Sequence, residues 1–150
     1  MWRFGAHSRA LMRKIDSSLV DSAIRSHAAL RPDLKRAEQQ HEALKAALKS
    51  TGVFNITELP SDGFPDSVFI EDTAVYANGQ VMVTTPAAEA RQGETRRVLE
   101  TLKGIADDDK LRLGDELYVA WMQKMDDEAR LDGGDVLFTG WELIVGESAR

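Results

Sequence analysis

The sequence predicts a single α/β domain, residues 1–150, built from a unit of strand, helix and hairpin that occurs twice. Three features predict this class: one strong helical stripe of apolar residues, short β-branched strands bounded by turn clusters, and two hairpin signals. A chain of 150 residues, 43% of them hydrophobic, is long enough to bury one core. We therefore expect a folded domain and not a disordered tail.

The first third of the chain favours helices. Apolar residues recur at helical spacing among good helix formers between Pro32 and Gly52, which predicts a helix over residues 33–50. The members of this stripe are Leu34, Ala37, Leu44, Ala47 and Leu48. A second, shorter stripe predicts a helix over about residues 17–30.

The middle of the chain favours strands. Residues 53–59 alternate and are rich in β-branched and aromatic side chains, which predicts a strand that ends at the turn cluster 60–63. Residues 68–70 form a second short apolar run of strand type. The Asn78-Gly79 pair then predicts a hairpin between residues 73–77 and 80–84.

The last third predicts one helix, one strand and another hairpin. Pro86 opens the helix, which runs to about Leu102, and residues 117–122 form an apolar strand between acidic loops. Residues 135–139 and 142–145 flank Gly140-Trp141 as a second hairpin. Because an acidic segment precedes each hairpin, the chain contains an internal repeat, and such units need neighbours to close a core.

The charge balance limits the classes of partner. The chain has 25 Asp and Glu against 19 Lys and Arg, a formal net charge of −6, which argues against nucleic acid and favours cationic ligands. No signal segment and no membrane-length apolar run is visible, so we expect a cytoplasmic protein with no membrane partner. There is no cysteine, which excludes disulfides, thiolate metal sites and a Cys nucleophile within these residues.

Three carboxylates stand beside an apolar run and are the main candidates for a binding site. Asp66, Glu71 and Asp72 bracket residues 68–70, and a planar guanidinium suits adjacent, partly buried carboxylates because its N–H donors bind them in pairs. The alternative is structural: Asp66 caps a turn, and the other two acids end a strand and pair with local arginines.

Two further features are weaker. Residues 131–138 place two acids around Gly133-Gly134, which indicates either close backbone approach to a ligand or a tight turn. Arg91 and Arg150 lie at the ends of predicted elements, where either could bind a carboxylate or simply lie on the surface. No group of residues has the spacing of a metal site.

Two motifs together resemble the signatures of the dimethylarginine dimethylaminohydrolase family. They are Pro-Asp-Ser-Val-Phe-Ile-Glu-Asp-Thr-Ala-Val at residues 65–75 and Leu-Asp-Gly-Gly-Asp-Val-Leu-Phe-Thr-Gly at residues 131–140. The resemblance extends through residues 27–31, 36–41 and 84–91, and so covers nearly the whole chain.

The resemblance implies the pentein fold, a five-bladed α/β propeller of ββαβ modules, of which this chain would hold about two. It implies hydrolysis of dimethylarginine and monomethylarginine to citrulline and a methylamine, without a cofactor, which relieves inhibition of nitric oxide synthase.

Carried over by motif, the resemblance implies a role for six residues. Asp66 would bind the substrate guanidinium, with Glu71 and Asp72 as further acidic contacts. Leu30 would contact the ligand from the N-terminal region, and Arg91 and Arg150 would hold the carboxylate of the amino acid.

The departures from the family are equally specific. The family uses a His near mid-chain and a Cys near the C-terminus of a chain about twice as long, and neither has a counterpart here. Residues 104–117 resemble an insertion. We therefore expect the N-terminal part of a dimethylargininase that is inactive by itself. The alternative is a short, non-catalytic guanidinium-binding or regulatory protein that covers its open sheet edges by self-association.

Overall fold

The computed structural model of the chain describes residues 8–27, 29, 31–77, 80–110, 121–126 and 128–147. They divide into two compact units, which we call the first unit, up to Ile70, and the second unit, from Glu71 onward. Both contain helices and strands, which confirms the predicted α/β class. The propeller arrangement and the number of modules stay predictions.

The first unit is a parallel strand pair joined by helices. Strand β1 (Arg9–Arg13) pairs in parallel with β2 (Asn55–Leu59), with Leu11 opposite Thr57. Parallel strands need a long crossover, and the segment with helices α1 (Leu19–Ser22) and α2 (Leu34–Ser50) supplies it. The buried apolar residues of this unit are Met12, Leu19, Val53 and Leu59.

Helix α2 confirms the prediction for residues 33–50. The Asp33 side chain accepts the Arg36 N–H at 2.9 Å as an N-cap, and Gly52 follows the helix with a φ of +98°. No α2 residue is fully buried, and Leu44 of the predicted apolar stripe is more than half exposed. The apolar side of this helix is therefore only partly covered by the rest of the protein.

Two predictions for the first unit are wrong. The helix predicted over residues 17–30 is limited to α1, because Ala23 turns extended and the next N–H, that of Ile24, binds the Asp66 carboxylate instead of a helical carbonyl. Residues 68–70 form no strand. Consecutive turns run through this segment, with the Phe69 N–H bound to the Asp66 carbonyl, and a short 3-10 helix follows at Ile70–Thr73.

The second unit contains a three-stranded sheet covered by a helix. Strands β3 (Ala74–Ala77) and β4 (Gln80–Val83) form the antiparallel hairpin that the sequence predicts, and β5 (Trp121–Lys124) pairs in parallel with β4. Helix α3 (Thr95–Lys110) connects β4 to β5 and contacts β4. The core residues here are Val81, Val83, Val98 and Ala106.

The helix predicted from Pro86 to Leu102 differs at both ends. A 3-10 helix (Glu89–Glu94) comes first, since Ala88 is extended, and α3 starts only at Thr95 and continues to Lys110. The predicted strand over residues 117–122 coincides with β5 at its last two residues, and residues 117–120 lie outside the described part of the chain.

The second predicted hairpin is confirmed. After a 3-10 turn at Gly133–Asp135, strands β6 (Val136–Phe138) and β7 (Leu143–Val145) pair antiparallel, and Gly140 between them has a φ of +96°. The residues described contain no helix long and apolar enough to cross a membrane.

Candidate functional site

Asp66 is a buried carboxylate at the end of a turn. Its side chain is 7% exposed, and its two carboxylate oxygens lie 3.2 and 3.0 Å from the N–H of Ile24, which donates to them. The Asp66 carbonyl also accepts the Phe69 N–H at 3.0 Å. The carboxylate is thus fixed by main chain from the segment that follows α1.

The two residues whose N–H groups donate to Asp66, Ile24 and Phe69, both have large apolar side chains. Ile24 and Phe69 both have about half of their surface exposed, although apolar side chains of this size usually pack inside. Asp66 thus combines a buried carboxylate bound by one exposed apolar residue with a carbonyl bound by another, which suits a ligand that carries a cationic head and apolar groups.

In the second unit, two carboxylates, those of Glu94 and Asp72, bind the Arg91 guanidinium. Its Nε donates to Glu94 Oε1 at 3.1 Å and its Nη2 donates to Glu94 Oε2 at 3.0 Å, so that the pair is bidentate. Its Nη1 donates to Asp72 Oδ2. Arg91 and Glu94 are both buried, and the guanidinium therefore joins the 3-10 helix Glu89–Glu94 to the 3-10 helix Ile70–Thr73.

Burial and charge act in opposite directions on Arg91. Burial by itself would lower the pKa of Arg91, but the hydrogen bonds that it donates to the Glu94 and Asp72 carboxylates outweigh burial and raise the pKa above its ordinary value. The guanidinium is therefore permanently charged and compensated by two carboxylates. In this arrangement the Arg91 guanidinium holds the Asp72 carboxylate in place.

Asp72 also connects the segments that precede the two hairpins. Its other carboxylate oxygen, Oδ1, accepts the Gly134 N–H at 3.1 Å, and a Cβ added to Gly134 would come within 2.5 Å of that oxygen. A Cβ on Gly133 would overlap the Glu71 carbonyl oxygen. The glycine pair therefore does allow close backbone approach, and the group it approaches is the protein's own acidic turn.

The predicted site residues fall into four groups. Asp72 and Arg91 contact each other directly, and Asp66 is buried in the first unit. Glu71 is exposed. Leu30 and Arg150 lie outside the described residues.

Two buried acids were not predicted as site residues. Glu94 stands three positions after Arg91, a spacing at which a helical turn places oppositely charged side chains together, so this pairing was readable from the sequence. Asp132 is buried and accepts the Ala87 N–H at 3.3 Å. No group of three or more metal-ligating side chains occurs in the part of the chain that the structure describes.

In sequence, the chain matches curated enzymes over most of its length. It is 35% identical over 134 residues to N(G),N(G)-dimethylarginine dimethylaminohydrolase of Pseudomonas aeruginosa, covering 89% of this chain and 47% of that protein. To the protein of the same name from Streptomyces coelicolor it is 32% identical, covering 95% and 50%. No family model matches the chain. The chain thus spans about half the length of the curated relatives it matches.

In structure, it matches the same enzymes. A cysteine-to-serine variant of the Pseudomonas aeruginosa enzyme complexed with citrulline superposes with a TM-score of 0.80 at 33% identity, over 96% of this chain and 51% of that one. A histidine-to-glycine variant of dimethylarginine dimethylaminohydrolase, captured as an adduct with S-methyl-L-thiocitrulline, also gives 0.80 at 33% identity, covering 96% and 52%.

A more distant match shares the fold alone. The N-terminal domain of ArgZ, a cyanobacterial arginine dihydrolase, superposes at 20% identity with a TM-score of 0.69, over 94% of this chain and 49% of that domain. The chain therefore shares its α/β fold with all three of these structures. Among them, it is similar in both sequence and structure to the dimethylarginine dimethylaminohydrolases, and the match spans about half of their length.

Proposed function

We propose that these residues form the substrate-guanidinium-binding part of a dimethylarginine dimethylaminohydrolase, its N-terminal half. The complete enzyme would hydrolyse N-omega-methylated arginines, with water replacing the methylated amine, to give citrulline and a methylamine. By removing inhibitors of nitric oxide synthase, it would regulate nitric oxide synthesis. The observation that carries the proposal is the buried Asp66 carboxylate in a chain homologous to these enzymes.

The chemistry of the Asp66 site supports this substrate class. A methylated guanidinium combines a delocalised cation, whose N–H groups donate to carboxylates, with apolar methyl groups. Asp66 offers the carboxylate, to which the exposed Ile24 donates its N–H, while the exposed Phe69 donates its N–H to the Asp66 carbonyl. The net charge of −6 favours the approach of a cation.

The reacting groups would come from the half of the relatives that this chain does not match. These 150 residues contain no cysteine, while the matched structures are a cysteine variant holding citrulline and a histidine variant holding a thiocitrulline adduct. We therefore expect these residues by themselves to bind substrate without turning it over.

The remaining predicted contacts are part of the same proposal. Glu71 and Asp72 would add acidic contacts to the guanidinium, and Leu30 would contact the ligand from the N-terminal region. Arg91 and Arg150 would hold the carboxylate of the amino acid, with Arg91 holding Asp72 at the same time.

A chimera tests the proposal directly. Residues 1–150 would replace the matched half of the Pseudomonas aeruginosa relative, and citrulline release from asymmetric dimethylarginine would be measured. We expect turnover, and a fall in kcat/KM of about 100-fold or more in the Asp66→Asn variant, because a buried charge contact to the substrate is lost. Glu100→Gln, an exposed carboxylate of α3, is the matched control and should change nothing.

Calorimetry on the 150-residue chain separates this proposal from its alternative. Binding of dimethylarginine that Asp66→Asn abolishes, together with an active chimera, supports the hydrolase half. Binding with an inactive but folded chimera would favour the non-catalytic guanidinium-binding protein. Absence of binding at millimolar ligand and absence of turnover would overturn both.

A further inference from the structure

The turn that leads into Asp66 is fastened by a buried arginine. Arg13, at the end of β1, is completely buried; its Nε donates to the Pro60 carbonyl at 2.9 Å and its Nη2 to the Ser61 carbonyl at 3.3 Å. Nη2 also donates to Asp62 Oδ2 at 2.9 Å. The guanidinium carbon lies 5.7 Å from the centre of the Phe64 ring. One side chain thus contacts four of the residues 60–64.

This turn has a backbone that needs support. Asp62 and Gly63 are consecutive residues in the left-handed region, with φ values of +56° and +79°. That conformation is unfavourable for a residue with a side chain and persists where the surroundings hold it. Arg13 supplies such a hold because its acceptors include two main-chain carbonyls and the Asp62 carboxylate itself.

A second residue fastens the same turn. Asp16 accepts the Ser61 hydroxyl at 2.7 Å, and it accepts the hydroxyl and the N–H of Ser18. These hydrogen bonds, those of Ser18 first and that of Ser61 next, lower the pKa of Asp16 below its ordinary value. Asp16 is therefore an anion at neutral pH, and the turn is held from two points, Arg13 at the end of β1 and Asp16 just after it.

We propose that Arg13 is a positioning residue for Asp66: it fixes the 60–64 turn and thereby the place of the Asp66 carboxylate against the Ile24 amide. The inference rests on the proposed function, in which Asp66 binds the guanidinium. Pro65, with its fixed φ, is the one residue between the fastened turn and Asp66, so a shift of the turn passes directly to the carboxylate.

Lysine cannot replace this arginine. A planar guanidinium donates in several fixed directions at once, whereas an ammonium is a point charge on a flexible stem. Arg13→Lys therefore keeps the charge that faces Asp62 but loses the simultaneous hold on the Pro60 and Ser61 carbonyls. Arg96→Lys, at an exposed position of α3, is the matched control.

The test follows the amide hydrogen exchange of Ile24 in the 150-residue chain by NMR. In Arg13→Lys we expect the Ile24 amide to exchange at least tenfold faster, as in Asp66→Asn, while the amides of the β1–β2 ladder keep their protection. Dimethylarginine should bind at least tenfold more weakly to the lysine variant.

The outcomes are distinguishable. Unchanged exchange at Ile24 would overturn the inference, and so would equal loss of protection at Ile24 and in the β1–β2 ladder, because that is general destabilisation. If dimethylarginine does not bind to the unsubstituted chain and the chimera does not turn it over, the proposed function fails, while the exchange of Ile24 still decides whether Arg13 positions Asp66.

Discussion

The two hairpins of the second unit have the same local construction and opposite environments. Each follows a short acidic 3-10 turn and pairs antiparallel. In β4, Val81 is 2% and Val83 0% exposed, whereas Leu137 of β6 is 61% and Ile144 of β7 is 52% exposed. The hairpin signal in the sequence therefore specifies strand pairing but not burial.

The neighbours of each hairpin explain the difference. Strand β4 pairs on its other side with β5 and is contacted by α3, which exclude water from its valines. Among the described residues, β6 and β7 pair only with each other. A two-stranded hairpin is marginal without a packing partner, so the second hairpin depends on surfaces beyond itself.

The largest expected effect comes from breaking the ionic centre at the entrance of the first hairpin. Arg91→Met removes the cation between two carboxylates, of which Glu94 is buried, and should lower the free energy of unfolding by about 3–5 kcal/mol at pH 7. Urea denaturation would measure it.

An exposed arginine gives the matched control for that prediction. Arg96→Met removes the cation of a solvent-exposed pair with Glu100 and should cost less than about 0.5 kcal/mol. Equal losses in the two variants would show that Arg91 contributes no more than a surface ion pair.

The next largest loss of stability should come from a substitution that pushes apart the two acidic turns, Ile70–Thr73 and Gly133–Asp135. Gly133→Ala adds a methyl group that overlaps the Glu71 carbonyl and comes within 3.0 Å of the Ala74 carbonyl, so we expect a loss of about 3 kcal/mol. Thermal denaturation with Gly104→Ala as control measures it. Gly104 lies in α3 with open space around it, and this control should gain about 0.5–1 kcal/mol. Similar shifts in both variants would contradict the close approach.

The elements that the sequence predicts well carry their signals locally. Helix α2 has its N-cap at Asp33, its stop at Gly52 and good helix formers between them, and both hairpins have turn residues at their centres. Strand β1 has no such signal. Its sequence, Arg-Ala-Leu-Met-Arg, consists of helix formers, and it is a strand because it pairs with β2, far away in the chain.

The candidate site was also predictable only where its signals are local in the sequence. The acidic motif identifies Asp66 and Asp72 because charged residues beside an apolar run need a reason, and Arg91 comes with the resemblance to the family. The sequence indicates the local Arg91–Glu94 pair but does not say that Asp72 binds the same guanidinium. Nor does it reveal Arg13 as a buried residue, since arginine is rarely buried completely. Both facts depend on contacts between distant segments.

Truncating one β-branched side chain in each hairpin to alanine measures the difference in burial directly. Val83→Ala should cost about 2 kcal/mol, because a fully buried valine loses its contacts and leaves a cavity. Ile144→Ala removes more atoms from β7 but should cost less than about 0.5 kcal/mol, since the side chain is half exposed. Urea denaturation of both variants is sufficient. Equal losses would mean that β7 is as well covered in solution as β4.

A substitution in β7 should change the free energy of unfolding least but should clearly change self-association of the chain. Leu143, Ile144 and Val145 are all more than half exposed on one strand, and such a strand is a template for pairing with another chain. The 150-residue chain should therefore self-associate with rising concentration in sedimentation velocity. Ile144→Lys should suppress this while the free energy of unfolding changes by less than about 0.5 kcal/mol.

A control for charge completes that experiment. Glu147→Gln changes the net charge by the same amount as Ile144→Lys but leaves the apolar strand intact, so association should persist. Association that falls equally in both variants would reflect charge and not the strand. A monomeric chain at every concentration would mean that the exposed hairpin does not pair with copies of itself, and the difference between the two hairpins would then need a partner of another kind.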